Sequence, residues 1–501
     1  MDRTDRIPLI EDVGKHLLFL RPRRFGKSML LSMLENYYDV ARADAFETLF
    51  GHLAIGRNPT DLHNQYFILK WDFSAVDPQG EPKEIRDNLH CYINERIENF
   101  SASYQGMLPQ KIRIRAENAM SSFQSLLTAI RQTPRKLYLL VDEYDNFANE
   151  LMMGSREISA DRYKSLVYGE GCLKAIFKVV KAATAGEGLD RAFITGVSPV
   201  VMSGITSGHN IAKNVYLRPE FNDLCGFWES EIREVLGRIA EKCGLSGAQA
   251  GEALDMMRCF YNGYAFTYEQ KPLVYNPTLA IYFLEHFQDY CGYPRRILDS
   301  NLAMDRGKIT YISRLPHGEE VILNALSDET PLIIQDIADR FGVEDMLTVT
   351  KDTEFMASLL YFFGVLTLTD QQRQGGCPAG VPDFLPDRRS PTPVRFHGTP
   401  LSQSVRQSGL SLGQRADRQD RLSDAAVQRH LLHHGLRTSP GSEICGHDHD
   451  CPPGHAAVPT AGFPAGVQVR GYGKAQAEWR AGAGDEPGGT ARPAPGPGKA
   501  G

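Results

Sequence analysis

Short apolar runs that end at polar residues mark three strands in the first 200 residues of the chain. Residues 15–20, 136–141 and 192–195 are too short for helices and show little alternation, as is typical of strands buried on both faces. Apolar residues at helical spacing follow the first run. This order of elements predicts an α/β core with a parallel sheet.

Beyond residue 205 the spacing of apolar residues becomes helical. Residues 228–242, 251–266 and 279–290 each predict a helix, and Gly244 is a natural stop for the first. Residues 323–368 predict three further helices and a closing strand, as in a winged helix. DNA contact is one interpretation; we favour a helical lid on the core, because no basic recognition helix stands out.

The composition changes near residue 370. Residues 371–501 are about 27% glycine plus proline, in the range of low-complexity sequence, whereas residues 1–370 are about 11%. Such a segment buries too little apolar surface to offset the entropy of ordering it, so we expect a tail that mostly does not fold. The predicted division is an α/β core at 1–205, a helical part at 206–300, a helical or winged-helix-like part at 301–370, and the tail at 371–501.

Charge and hydropathy exclude several classes of protein. The chain of 501 residues has a net charge of −6, unlike a generally basic nucleic-acid coat protein. Its longest apolar run, residues 359–368, is about half of the ~20 residues that span a membrane. The chain opens with charged residues, and its nine scattered cysteines favour a reducing compartment over a disulfide framework. We therefore expect a cytoplasmic protein without a membrane-spanning segment.

A phosphate-binding loop is predicted where the first strand meets the first helix. The segment RPRRFGKS, residues 21–28, matches GxxxxGK[ST] except that Arg21 replaces the first glycine. Gly26 permits close backbone approach to phosphate, Lys27 would reach the β- and γ-phosphates, and Ser28 would bind Mg²⁺. A basic turn before a surface helix is the alternative. The predicted cofactor-binding residues are Arg24, Phe25, Gly26, Lys27, Ser28 and Met29.

Two carboxylates at the end of the second apolar run supply the complementary chemistry. Asp142 would hold Mg²⁺ through water, and Glu143 would orient or deprotonate the attacking water, as in a Walker B motif. The alternative is an acidic turn after a core strand. We interpret Asp145 as a helix-capping or surface acid.

The third run ends in a polar residue that can sense a γ-phosphate. Thr195 is the first candidate and Ser198 the second, whereas a capped strand end is the alternative. Ligands in open α/β sheets lie at the carboxyl ends of the strands, which is where all three motifs fall. No clear arginine finger stands out, and Arg218 is the one candidate.

Five segments within residues 1–370 together resemble the AAA-ATPase-like family of bacteria and archaea. They are RPRRFGKS, LYLLVDEYD, FITGVSPV, FYNGYAF and VYNP. The resemblance implies ATP binding at the phosphate loop and Mg²⁺ or water chemistry at Asp142 and Glu143. It also implies that Arg21 is a usual feature of this family's phosphate loop. Members usually carry a C-terminal PD-(D/E)XK nuclease-like domain, so nucleic acid enters as a partner through the resemblance alone. Members also begin earlier, and we expect a truncated or miscalled N-terminus here.

The tail offers a metal-like pattern that we do not assign. It carries a CxHxHxC cluster made of Cys445, His447, His449, Cys451 and His455. This spacing in a glycine- and proline-rich chain does not match common zinc sites. A reading-frame shift soon after Asp370 explains the tail better, because its codons read one base later permit strings such as LEFKYV that resemble the nuclease-like domain. We therefore give residues 371–501 no nuclease role.

These observations predict an ATP-binding protein with Mg²⁺-dependent ATPase activity. Ser28 and Asp142 are the predicted metal ligands, and Glu143 and Thr195 the predicted catalytic residues. Two alternatives stay open: a non-hydrolysing nucleotide-dependent switch or interaction module, and an inert truncated product of an ATPase–nuclease gene. The sequence does not predict the oligomeric state.

Overall fold

The computed structural model describes residues 2–146, 149, 172–199, 212–294, 353–368 and 394–398, with a few positions between 313 and 338. All of these belong to one compact unit, Met1–Leu436. The cysteine–histidine cluster and the rest of the predicted tail lie outside the described residues, apart from 394–398.

A five-stranded parallel sheet forms the core, in the order β2-β3-β4-β1-β5. Its strands are β1 (His16–Leu20), β2 (Tyr66–Asp72), β3 (Lys136–Asp142), β4 (Leu189–Gly196) and β5 (Lys213–Asn214). The three strands expected from the apolar runs are β1, β3 and β4, and the predicted α/β class is confirmed. Leu20 is opposite Gly196, and Val141 is opposite Ile194, so the carboxyl ends of these strands meet at one edge.

Seven helices pack around this sheet in the described residues up to 199. They are α1 (Ile7–Val13), α2 (Lys27–Tyr38), α3 (Phe46–Phe50), α4 (Ala54–Arg57), α5 (Pro82–Ser103), α6 (Ala119–Arg131) and α7 (Cys172–Thr184). On one face of the sheet, Tyr38 of α2 contacts Tyr66 and Tyr138, with ring centroids 5.9 and 5.0 Å away.

The residues of β2 that alternate with Tyr66 point to the opposite face of the sheet, where they contact other helices. Phe67 packs against Phe100 of α5 at 6.1 Å, and Trp71 packs against Phe123 of α6 at 5.4 Å. Because successive side chains of a strand point to opposite faces, the sheet has helices on both sides. The core therefore has three layers, with the parallel sheet between two layers of helices.

Three helices after the sheet enclose a second hydrophobic cluster. They are α8 (Glu229–Cys243), α9 (Gly247–Tyr261) and α10 (Pro277–Tyr290). Gly244 ends α8 in the left-handed conformation at φ 65°, as its position predicts. Helix α9 starts earlier than expected because Ser246 caps it through Gln249, and it ends before residue 264 because Tyr264 pairs with Val274.

A disulfide joins Cys243 to Cys291, whose Cα atoms are 5.6 Å apart. The expectation of unpaired cysteines is wrong for these two. They are 48 residues apart in sequence, and only the packing of α8 against α10 brings the ends of these helices together. Cysteine spacing therefore gave no sign of this bond.

The last described elements are β6 (Leu332–Ile334), α11 (Thr353–Phe362), β7 (Leu366–Leu368) and β8 (Val394–Gly398). A helix followed by a closing strand was expected where α11 and β7 lie, whereas β6 and β8 were not predicted. A strand stands at β6, where only helices were expected before the closing strand, because its isoleucines favour extended backbone. Residues 394–398, within the tail that was expected mostly not to fold, form β8, which lies between β6 and β7 and is hydrogen-bonded to both. Nowhere in the described residues does a helix have the length and apolar character needed to cross a membrane.

Truncating a central core residue should show how far stability depends on this sheet. Phe193 of β4 is fully buried, so we expect Phe193→Ala to lower the free energy of unfolding by about 3–5 kcal/mol. Ile281→Ala, at a residue that is 41% exposed, is the control and should cost about 1 kcal/mol or less. Urea unfolding followed by circular dichroism measures both, and equal losses would contradict this description of the core.

Candidate nucleotide-binding site

The loop between β1 and α2 wraps around the ammonium group of Lys27. Gly26 precedes the helix at φ 87°, a left-handed conformation that glycine adopts without strain. Lys27 is buried, and its Nζ donates to the carbonyl oxygens of Arg21 at 3.0 Å and Pro22 at 3.1 Å. Within the described residues no side chain caps the start of α2, so its N–H groups remain for a ligand.

Lys27 and the carboxylates after β3 lie close enough to interact. Burial lowers the pKa of Lys27, while the charges of Glu143, Asp145 and Asp142 act in the opposite direction. A buried cation is costly unless anions compensate it. The loop after β1 and the acidic end of β3 therefore lie at the same edge of the sheet, within reach of each other's charges.

Strand β4 places Thr195 between the two motifs. Its Oγ1 donates to Oδ1 of Asp142 at 2.7 Å, and the backbone N–H of Glu143 donates to the same oxygen at 3.0 Å. Asp142 is only 2% exposed. This carboxylate is therefore fixed by a hydroxyl group from the neighbouring strand and by the amide group of the next residue.

Glu143 has the environment of a proton acceptor. It is half-buried, and its backbone has φ 46°, in the region that few residues other than glycine adopt. Burial raises the pKa of Glu143, with Lys27 opposing the shift most strongly. A carboxylate with a raised pKa binds a proton more readily near neutral pH.

Asp145 is buried and organises the loop after β4, so its interpretation as a surface acid is wrong, whereas its place directly before the helical residue Asn146 fits a helix-capping acid. Its carboxylate accepts hydrogen bonds from the backbone of Val197 at 2.9 Å and of Ser198 at 2.8 Å, and from the Ser198 hydroxyl at 2.8 Å. Ser198, the second candidate sensor, is thereby engaged with Asp145.

Arg21, at the position where the motif usually has glycine, points away from the phosphate loop. Its guanidinium donates to the carbonyl oxygens of Tyr216 at 2.9 Å and Phe221 at 2.6 Å. It also lies over the rings of Phe266 and Phe19, 3.9 and 4.4 Å from their centroids. Burial lowers the pKa of Arg21 to about 10. Arg21 is therefore a structural residue that ties the loop to later parts of the chain.

Residues of the FYNGYAF segment, and Thr278 directly after the VYNP segment, support the loop, a role that sequence reasoning missed. Phe25 is buried edge-on against Tyr264 and Phe266, with centroids 4.9 and 5.2 Å away. Thr278 Oγ1 donates to the carbonyl oxygen of Arg24 at 2.8 Å. Phe25 can therefore contribute only its main chain to a ligand, and the quoted segments themselves were the one available signal.

The oxygen atoms at this edge fit a magnesium ion better than a transition metal. Ser28 is exposed at the start of α2, beside the loop that holds Lys27. In the part of the chain that the structure describes, no three His, Cys, Asp or Glu side chains cluster as metal ligands would. Mg²⁺ commonly takes one or two protein oxygens and fills its remaining positions with water and phosphate. Ser28 and Asp142 are consistent with that pattern.

The strand order, the loop and the acidic strand end define an α/β protein of the P-loop ATPase type. Residues 1–206, about two fifths of the chain, match the family model described as Predicted AAA-ATPase. The predicted family is thus confirmed there.

Relatives are distant. A protein of Azotobacter chroococcum mcd 1, described as "Uncharacterized protein in vnfD 5'region", is 24% identical over 392 residues, which is 75% of this chain and 62% of the relative. The chain thus spans less than two thirds of that relative's length. Among solved structures, the Walker-type ATPase PABY2304 of Pyrococcus abyssi matches at 13% identity and a TM-score of 0.38, covering 81% of this chain and 94% of its own. The Aeropyrum pernix ORC1 protein in complex with DNA matches at 11% identity and a TM-score of 0.23, covering 78% and 85%.

A glycine behind the phosphate loop provides a test of how tightly the loop is held. Gly364 has φ 77°, and an added Cβ would lie 2.8 Å from Cβ of Pro22. We expect Gly364→Ala to lower the free energy of unfolding by about 1–3 kcal/mol through backbone strain and crowding of the loop.

Gly237→Ala is the matched control, because Gly237 lies within α8 and an added Cβ would meet nothing within 4 Å. It should stabilise the protein by up to about 1 kcal/mol through helix propensity. Urea unfolding of both variants measures the difference, and a stabilising Gly364→Ala would show that the loop is not crowded there.

Proposed function

We propose that the chain binds ATP and hydrolyses it in a Mg²⁺-dependent reaction. One observation carries the proposal: Lys27, Asp142 with its Thr195 hydrogen bond, and Glu143 share one edge of the sheet. This combination provides a cation and helix N–H groups for phosphate and carboxylates for metal and water. A structural ion pair would not need an uncapped helix start beside it.

Phosphate binding is assigned to the loop and the start of α2. N–H groups at a helix N-terminus and the positive end of the helix dipole favour an anion. Lys27 would exchange the carbonyl oxygens of Arg21 and Pro22 for phosphate oxygens. The ammonium group thereby gains anionic partners in place of neutral ones, which favours the bound state.

Metal binding is assigned to Ser28 and Asp142. When bound, Mg²⁺ supplies positive charge that offsets the charge of the phosphates. Asp142 is held in position by Thr195 and by the backbone of Glu143, so the protein prepares this carboxylate before any ligand arrives.

Hydrolysis is assigned to Glu143 as the group that orients water and accepts its proton. The water oxygen attacks the γ-phosphorus, the bond to the bridging oxygen of ADP breaks, and the electron pair of that bond leaves with ADP. The proton passes to the Glu143 carboxylate, whose pKa is raised by burial. Thr195 keeps Asp142 aligned during the reaction.

A non-hydrolysing switch is the second candidate, and a specific observation favours it. Arg21, Phe25 and Arg24 connect the loop to residues between 216 and 278. A change in the loop on nucleotide binding would therefore reach the helical part directly. Tight binding of ATP without turnover would favour this function.

Two variants test the proposed function. Lys27→Ala should weaken ATP binding by about 10- to 100-fold, because a charge-assisted hydrogen bond to phosphate is lost. Glu143→Gln should bind ATP with about the wild-type affinity, but its turnover should fall by about 100-fold or more. Isothermal titration calorimetry measures binding, and phosphate release measures turnover.

Lys15→Ala and Glu187→Gln are the matched controls, because both residues are exposed at the opposite, amino-terminal edge of the sheet. Both should bind and hydrolyse ATP like the wild type. Equal ATP affinity of the wild type and Lys27→Ala would refute the nucleotide site.

A further inference from the structure

The backbone of Arg23 belongs to the part of the loop that surrounds the Lys27 ammonium group. The carbonyl oxygen of Pro22, which accepts from Lys27 Nζ at 3.1 Å, belongs to the peptide bond that leads into Arg23. Arg23 is half-buried, unlike its exposed neighbour Arg24. Its side chain therefore leaves the backbone beside the group assigned to the γ-phosphate.

The Arg23 side chain extends across the site to the segment after β3. Its Nη2 donates to Oδ1 of Asn146 at 2.5 Å. Asn146 in turn belongs to a turn in which its backbone N–H donates to the carbonyl oxygen of Glu143 at 2.9 Å. The guanidinium of Arg23 is thus held on the same side of the site as Glu143.

The positive charge of Arg23 acts on Glu143, the predicted proton acceptor. Burial raises the pKa of Glu143, and the positive charges of Lys27 and Arg23 act against this shift. Asn146 is neutral, so its hydrogen bond to Arg23 orients the guanidinium without itself adding a negative charge. An arginine placed in this way can stabilise negative charge on a phosphoryl group.

We propose that Arg23 is a catalytic residue that contacts the γ-phosphate of ATP bound to its own chain and stabilises the charge developing there. Asn146 is the corresponding positioning residue. The inference rests on the proposed function. It adds a positively charged residue that stabilises the transition state, a role for which the sequence offered only Arg218. Arg218, the arginine-finger candidate from the sequence, precedes the turn Pro219–Phe221. Arg23, in contrast, donates a hydrogen bond directly to the segment after β3.

The decisive experiment separates a phosphate contact from a structural link between two loops. Arg23→Ala should lower turnover by about 100-fold or more, in view of the ~10³- to 10⁵-fold contributions of arginine fingers. It should also weaken ATP binding by about 10-fold while the affinity for ADP, which lacks the γ-phosphate, stays within about twofold.

Three further variants define the role of each group. Asn146→Ala removes the orienting bond, so turnover should fall by about 10-fold, with the ratio of ATP to ADP affinity nearly kept. Arg23→Lys should restore part of the preference for ATP but little turnover, because lysine lacks the planar fork. Arg113→Ala removes an exposed arginine between α5 and α6 and should behave like the wild type.

A mixing experiment tests whether the contact is within one chain. Equimolar Arg23→Ala and Lys27→Ala variants should show no more turnover than their average, whereas restored turnover would place the arginine on another chain's nucleotide and overturn the assignment. Equal losses of ATP and ADP affinity in Arg23→Ala would also overturn it, leaving a structural link only. Wild-type turnover in Arg23→Ala refutes this inference alone, whereas absence of ATP binding in the wild-type chain refutes the proposed function itself.

Discussion

The parallel register of β1, β4 and β3 is the constraint on which the candidate site depends. Leu20, Thr195 and Asp142 are far apart in sequence, and they meet because neighbouring strands end at the same edge. The hydrogen bond between Thr195 and Asp142 then fixes the carboxylate relative to the loop that begins after Leu20. A shift of one residue in any of these strands would turn the side chains to the opposite face.

Charge balance explains why the residues around this edge are so completely bonded. Lys27 is buried and donates to backbone carbonyl oxygens, and Asp145 is buried among N–H and O–H donors, so each charge has partners that reduce its desolvation cost. The loop has a second support in Arg21, which bonds to backbone carbonyl oxygens and aromatic rings instead of a carboxylate. The site is therefore shaped largely before a ligand binds.

The sequence was sufficient for those features that depend on local pattern. Short apolar runs located β1, β3 and β4, and Gly244 located the end of α8. The sequence could not predict features that depend on distant partners. The burial of Asp145 depends on the loop after β4, and the bond between Cys243 and Cys291 depends on how helices pack. Strand β8 was missed because the average composition of residues 371–501 concealed five residues that pair with β6 and β7.

Arg21 also has a consequence for recognising loops of this kind in other chains. A guanidinium enclosed by Phe266 and by the carbonyl oxygens of Tyr216 and Phe221 requires a cavity of matching shape. Glycine at this position would leave that cavity empty, so the arginine and its aromatic neighbour should change together during evolution. A search pattern that insists on the first glycine discards such loops, whereas one that pairs the arginine with a distant aromatic residue would retain them.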